Sequence, residues 1–218
     1  MNNSIIILRA QEFVKTELIS DSSGHDWWHI HRVWSLAKKL AAEERANEFV
    51  CELAALLHDI ADEKLNASKE VGLYRVHTWL EENQVEGNSM KQIIEIISTM
   101  SFDGGYGPPM ETLEGMIVQD ADRLDAMGAI GIARAFVYAG WKGHLIYDPD
   151  LSPRSNFSVE AYRNEKSTAI NHFYEKLLKL KDLINTDYAK KLAQERHRVL
   201  EAYLLQFYQE WEITERNK

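Results

Sequence analysis

Apolar residues at Val33, Leu36, Ala37, Leu40 and Ala41 repeat as i, i+3, i+4, i+7 and i+8. That period faces a core only as a helix, because a strand would throw alternate residues to opposite sides. The helix runs over about 25–45 and ends at Asn47. A second apolar segment follows at once, from about Glu48 to Ile60. So short a link makes the two helices antiparallel neighbours. Residues 25–32 are thereby brought beside residues 58–64, and the fold is built around this hairpin.

The rest of the 218-residue chain carries the same period. Helices are expected over 4–19, 68–83 (Ser68 as cap), 88–100, 111–126 and on to 139 with a break near Gly128 or Gly131, 159–183, and 187–214. The isoleucines at 93, 94 and 97 also suit a strand, yet they fall on one helical face with Met100. Only 11 Gly and 4 Pro punctuate the sequence, which favours long helices. Residues 101–109 form a loop, and 140–158 form an irregular excursion long enough to be a lid or active-site loop. No alternating pattern is present. The expectation is an all-α, single-domain helical bundle over 1–218, with its chemistry in about 25–126 and helices over 159–214 completing it.

Net charge −9 argues against a nucleic-acid polymer as partner, since a phosphate backbone needs a basic face. It leaves room for a small phosphorylated substrate, because a metal and a few local cations can overcome the global field. The single cysteine, Cys51, lies in an apolar segment and reads as a small core residue. The apolar run at Ile5–Leu8 is too short for a signal peptide, and no stretch approaches the ~20 residues of a membrane helix. A cytoplasmic protein is expected, and a homodimer stays open.

The chemistry concentrates in histidine and aspartate. His25 and His29 stand four residues apart, His58-Asp59 closes the second helix, and Asp120, Asp122 and Asp125 cluster on a third. Imidazole with carboxylate is a mixed ligand set for Mn²⁺, Fe²⁺, Zn²⁺ or Mg²⁺. His29, His58, Asp59 and one of the three aspartates would balance a divalent charge and leave positions for water and substrate.

The stretches HDWWHIHRVW (25–34), LAALLHDIADEK (53–64) and QDADRLDAMGAIGIAR (119–134) resemble the HD-domain metal-dependent phosphohydrolases. The likeness extends through AINHF (169–173) and EKLLKL (175–180) and covers nearly the whole chain. It is greatest to a bacterial subgroup similar to manganese-preferring nucleoside-triphosphate pyrophosphohydrolases. The resemblance implies one divalent ion, Mn²⁺ favoured with Mg²⁺, Fe²⁺, Zn²⁺ and Ni²⁺ open, on His29, His58, Asp59 and Asp122. It implies a nucleotide substrate cut to monophosphate and diphosphate. Asp125, one turn past Asp122, is then a candidate to hydrogen-bond a ligand or touch substrate. Asp62, where some relatives carry a glutamate, is a candidate to orient the attacking water or take its proton. Lys64, His172 and Lys176 are candidates to neutralise phosphate charge, and His25 either binds a phosphate oxygen or is structural.

Other readings are weaker. HDWWH (25–29) approximates the HExxH of zinc proteases, but Asp is one methylene short and no third ligand is specified. Trp27, Trp28 and Trp34 read as core packing against the first helix rather than base-stacking platforms. Ser101-Phe102 and Gly104-Gly105-Tyr106 read as surface loop, Arg123 as one half of a structural ion pair, and Arg163 and Lys166 as a solvated face. A monophosphate-specific nucleotidase and a non-catalytic nucleotide sensor are the functional alternatives. A di-iron oxygenase would need a second His-Asp pair, which HDIADE lacks.

Overall fold

In the computed structural model, which describes residues 2–63, 65–102, 108–154 and 167–215, every regular element is helical and no strand is present among the described residues. Capping sets most of the helix starts. α1 (Asn3–Glu17) begins at Asn2, whose side chain accepts from the Ser4 N–H. α2 (Trp27–Glu44) begins at Asp26, whose Oδ1 accepts from the His29 N–H at 2.9 Å. α3 (Glu48–Leu57) is capped by Asn47, α4 (Lys69–Glu82) by Ser68, and α6 (Leu113–Asp125) by Thr112. α5 (Gly87–Thr99) lies between the last two. α7 (Gly128–Lys142) ends at Gly143 in the left-handed region, φ 69°. α8 (Ala169–Glu175) is capped by Thr168, and α9 (Asp187–Glu215) closes the described chain.

α3 lies at the centre. It packs on α1, α2, α5 and α6, and every residue from Val50 to Leu57 is buried. A helix apolar all round belongs in a core. Complete burial of Leu53, Leu56 and Leu57 contributes about 2 kcal/mol each, which anchors the turn that follows. Cys51 is part of this core, and burial pushes its thiol up to about 12, so it packs as a hydrophobe. The Trp expectation holds for two of three: Trp27 and Trp34 pack on the core, whereas Trp28 is 62% exposed.

Two expected helices are drawn differently. The second apolar segment stops being α-helical at Leu57 and tightens into a 3-10 turn, His58–Ala61. α4 crosses this turn closely because Gly72 has no side chain: a Cβ there would lie 2.5 Å from the Ala61 carbonyl oxygen. The helix expected over 159–183 is interrupted at Lys176, where φ −134° and ψ −63° end α8. A separate 3-10 segment, Leu177–Leu183, follows. Residues 159–166 of that expectation, with Arg163 and Lys166, lie outside the described residues, as do Lys64 and Gly104-Gly105-Tyr106.

The excursion after α7 is strapped down. Its Leu145 and Ile146 carbonyls accept from the Ala169 and Ile170 N–H groups, each at 3.0 Å. Asn171 Nδ2 donates to the Leu151 carbonyl at 2.8 Å. Tyr147 packs edge-on against Phe207, Tyr208 and Trp211 of α9. No helix among the described residues is long and apolar enough to cross a membrane.

Candidate metal centre and its cavity

Three elements converge on one point. His29 comes from the first turn of α2, His58 and Asp59 from the 3-10 turn, and Asp122 from α6. The ligand-capable atoms of His29, His58 and Asp59 lie within 4.8 Å of one another. His29 Nε2 is 3.4 Å from Asp59 Oδ2, and His58 Nε2 is 3.3 Å from Asp59 Oδ1. Asp122 Oδ1 stands 3.6 Å from His29 Nε2 and 4.0 Å from His58 Nε2. Ligands each about 2.1 Å from one ion are spaced about 3–4 Å apart, so these separations fit a divalent cation.

The hydrogen bonding supports this fit. His29 Nδ1 meets Asp125 Oδ2 at 2.8 Å, and His58 Nδ1 meets the Ala55 carbonyl at 2.8 Å. A proton on each Nδ1 leaves the Nε2 lone pairs facing the centre, as a histidine ligand requires. His29 Nε2, His58 Nε2 and Asp59 Oδ2 are buried with no hydrogen-bond partner. Buried polar atoms are almost always paired. Three orphans aimed at one point mark a place for a positive group.

The electrostatics agree. For Asp59, burial favours the neutral form, but the nearby His58 and His29 imidazoles outweigh it and hold the carboxyl well below its usual range. Asp122 is lowered in the same way, the two imidazoles overcoming burial. His29 is raised: burial and Arg134 disfavour its charged form, but the Asp125 hydrogen bond and the nearby Asp59 carboxylate prevail. A pocket that strengthens proton binding at an imidazole also attracts a metal cation.

The three aspartates of α6 have distinct fates. Asp120 is fully buried and accepts from the backbone and side chains of Asn185 and Thr186. Asp125 accepts from Arg32 Nε at 2.7 Å and Arg134 Nη1 at 3.1 Å besides meeting His29. Only Asp122 faces the imidazole pair. Of the two arrangements open to Asp125, the geometry shows a hydrogen bond to His29. Its carboxylate is 3% exposed, held between the Arg32 and Arg134 guanidiniums, and does not line the adjacent cavity.

A cavity of about 510 Å³ opens from His58, Asp59 and Asp122. Lys69, Arg123, Arg134, Lys142, Arg154 and Lys176 line it, together with Glu63 and Glu175. Asp62 also lines it, at the end of the 3-10 turn, its N–H donating to the Asp59 carbonyl and its own carbonyl held by Asn66 Nδ2. His25 faces the cavity too, but not from α2. It precedes the Asp26 cap, its N–H donates to Asp21 Oδ1, and its ring meets Ser23 Oγ at 3.0 Å. His25 therefore is not a helical partner of His29, although their rings pack edge-on at 5.6 Å.

His172 and Lys176 both reach the cavity. Lys176 lies with Nζ 5.1 Å above the Phe102 ring. Burial and the Lys176 charge push His172 down to about 3, which favours its neutral form. Among the described residues no carboxylate is hydrogen-bonded to Arg123, and its Nη1 donates instead to the Leu183 carbonyl. Arg134, Tyr138, His144 and Arg154 line the cavity without having been singled out by sequence. Arg134 was legible as the last residue of the AIGIAR stretch, one helix past Asp125. Arg154 was not, since its partner Glu175 lies 21 residues further along the chain.

Comparison with known proteins places these features. Residues 27–127 match the family model described as HD domain. The chain is 41% identical to Bacillus subtilis YpgQ, an uncharacterized protein, over 202 residues, 92% of this chain and 89% of that one. It resembles a crystal structure from Lactobacillus plantarum at 43% identity and a TM-score of 0.87, covering 96% of this chain and 98% of that one. An HD-superfamily hydrolase from Bacillus thuringiensis is 48% identical with a TM-score of 0.75, covering 97% and 99%. YpgQ crystallised in complex with ADP is similar at 39% identity and a TM-score of 0.75, covering 94% and 97%.

Proposed function

The chain belongs to the HD-domain superfamily of hydrolases, and from that premise we propose that it hydrolyses nucleoside triphosphates to monophosphate and diphosphate with one bound divalent ion, Mn²⁺ favoured. One observation carries the reading: three orphaned buried atoms, His29 Nε2, His58 Nε2 and Asp59 Oδ2, converge beside a cavity whose wall includes lysine and arginine side chains. The volume of about 510 Å³ suits a small ligand. The ADP complex of YpgQ supports a nucleotide as that ligand.

His29, His58, Asp59 and Asp122 would hold the ion. When bound, it would polarise a phosphoryl oxygen and lower the pKa of a water. Asp125, clamped by Arg32 and Arg134, keeps the His29 ring oriented. Asp62, beside Asp59 on the cavity wall, accepts the proton of the attacking water. The water oxygen bonds the α-phosphorus, the bridging P–O bond breaks, and its electron pair leaves on the β-phosphate oxygen. Lysine and arginine side chains on the wall offset that charge.

The test strips the protein of metal, restores Mn²⁺, Mg²⁺, Fe²⁺, Zn²⁺ or Ni²⁺ singly, and assays nucleoside tri-, di- and monophosphates for diphosphate and orthophosphate. Diphosphate from triphosphates, abolished by Asp59→Ala, is the expected result. Orthophosphate from monophosphates would replace the reading with a phosphatase. Nucleotide binding without turnover under any metal would replace it with a sensor.

A further inference from the structure

We propose that His25 is a further catalytic residue, whose Nε2 accepts a hydrogen bond from the attacking water, and that Ser23 and Asp21 position it by fixing which ring nitrogen carries the proton. The inference deepens the reading above and rests on it. Asp62 takes one hydrogen of the water as its proton, and His25 holds the other without gaining one. A water held by two fixed acceptors has its lone pair turned towards phosphorus, which lowers the cost of orienting it.

The segment ahead of α2 is built around this one ring. Asp21 Oδ1 accepts from the Ser23 N–H at 2.9 Å and from the His25 N–H at 3.0 Å. Ser23 is 2% exposed, with its Oγ 3.1 Å from both Asp21 carboxylate oxygens and 3.0 Å from His25 Nδ1. Arg134 Nε donates to the Gly24 carbonyl at 3.0 Å, and Gly24 takes φ 91°, a conformation that glycine adopts at no steric cost. A carboxylate only accepts, and a serine hydroxyl has one hydrogen. That hydrogen goes to Asp21, so the hydrogen between Ser23 and His25 comes from Nδ1. A neutral imidazole carries one N–H. His25 Nε2 is therefore the lone-pair nitrogen, which accepts a hydrogen bond and has none to give a phosphate oxygen.

The ring stands where such a water would be. His25 lines the cavity together with His58, Asp59, Asp62 and Asp122. It packs edge-on against the His29 ring at 5.6 Å and against the Tyr138 ring at 6.4 Å. Tyr138 also feels Asp62: burial first, and then the Asp62 charge, raise its phenol above the usual range. One tyrosine thus lies near both acceptors, His25 from just before α2 and Asp62 from the end of the 3-10 turn, which border a shared space.

Long-range proton–nitrogen correlation spectra of the full, metal-free chain with nitrogen-15-labelled histidine read the tautomer directly. They are recorded at about pH 8, above the ordinary histidine pKa, and the His25 signals are those lost in His25→Gln. Wild type is expected to carry its proton on Nδ1 and none on Nε2. Asp21→Asn keeps an acceptor for the two backbone N–H groups but reverses the chain: its amide donates to Ser23 Oγ, the serine hydrogen turns to Nδ1, and the ring proton moves to Nε2. Ser23→Ala removes the link and with it the preference. With Mn²⁺ and triphosphate, both variants lower kcat about tenfold, the worth of one hydrogen bond, and leave KM within about twofold. His25→Gln, whose side-chain carbonyl reaches the Nε2 position, keeps a kcat at least about tenfold above His25→Asn, whose side chain ends near Nδ1. A wild-type proton on Nε2, or equal kcat in His25→Gln and His25→Asn, overturns the proposal. If triphosphates are not hydrolysed at all, the reading of the reaction fails, while the spectra still decide whether this segment presents an acceptor at Nε2.

Discussion

Asp125 contributes no atom to the cavity, yet its carboxylate joins His29, Arg32 and Arg134. Asp125→Asn leaves two guanidiniums facing an uncharged amide and lets the His29 ring choose the wrong tautomer. Losing such a partner costs about 10–100-fold in metal affinity, measured as a Kd for Mn²⁺. An unchanged Kd would show that His29 is held by packing alone. A second prediction concerns His172, whose pKa is about 3 in the folded protein against 6.5 when exposed. Its causes are burial, then Lys176 and Arg154 and His144, opposed by Glu175. The unfolded chain binds more protons between these values, so this group makes stability fall as pH drops from 6.5 towards 3. The limit is about 1.4 kcal/mol per pH unit, reduced here by partial solvent access. Urea unfolding in chelator at about pH 7 and about pH 5.5 is expected to show a smaller acid loss in His172→Asn than in wild type. Equal losses would mean that His172 titrates normally.

The elements explain why some of this was legible and some not. The α2–α3 hairpin follows from the spacing of Val33, Leu36, Ala37, Leu40 and Ala41, and with it the closeness of His29 to His58-Asp59. Periodicity does not distinguish the last α-helical turn from a 3-10 turn, so the geometry that lets adjacent residues 58 and 59 face one point was hidden. Asp26 is a strong N-cap type three residues before His29; weighing it as a cap would have put His25 outside the helix. The break at Lys176 has no Gly or Pro to announce it. The Arg154–Glu175 clamp joins segments whose contact no local pattern encodes. Gly72 belongs to this scale as well. Gly72→Ala forces α4 away from the Ala61 backbone, which cannot yield as a flexible side chain would. The expected cost is about 1–3 kcal/mol in unfolding free energy, with weakened Mn²⁺ binding because the displaced turn carries His58 and Asp59. Wild-type stability and metal affinity in this variant would show that the turn tolerates the shift.

For the whole molecule, an acidic chain encloses a cavity in which lysine and arginine side chains stand among the carboxylates of Asp59, Asp62, Glu63, Asp122 and Glu175. Net charge −9 keeps the surface unattractive to nucleic-acid backbones, while the cavity gathers lysine and arginine beside a carboxylate–imidazole cage. That division suits a small anion delivered to a metal. The cage is assembled by α2, α3 with its turn, and α6, the helices that build the centre of the core, so a bound ion stabilises the fold it depends on. Both statements depend on one claim: His29, His58, Asp59 and Asp122 hold a single divalent ion. Equilibrium dialysis of the metal-stripped protein against Mn²⁺, followed by elemental determination, tests it directly. The expected result is one ion per wild-type chain, with none retained at the same free Mn²⁺ by His58→Ala or Asp59→Ala variants that keep the wild-type helical circular-dichroism spectrum. Equal retention by those variants, or no retention by wild type, would contradict it.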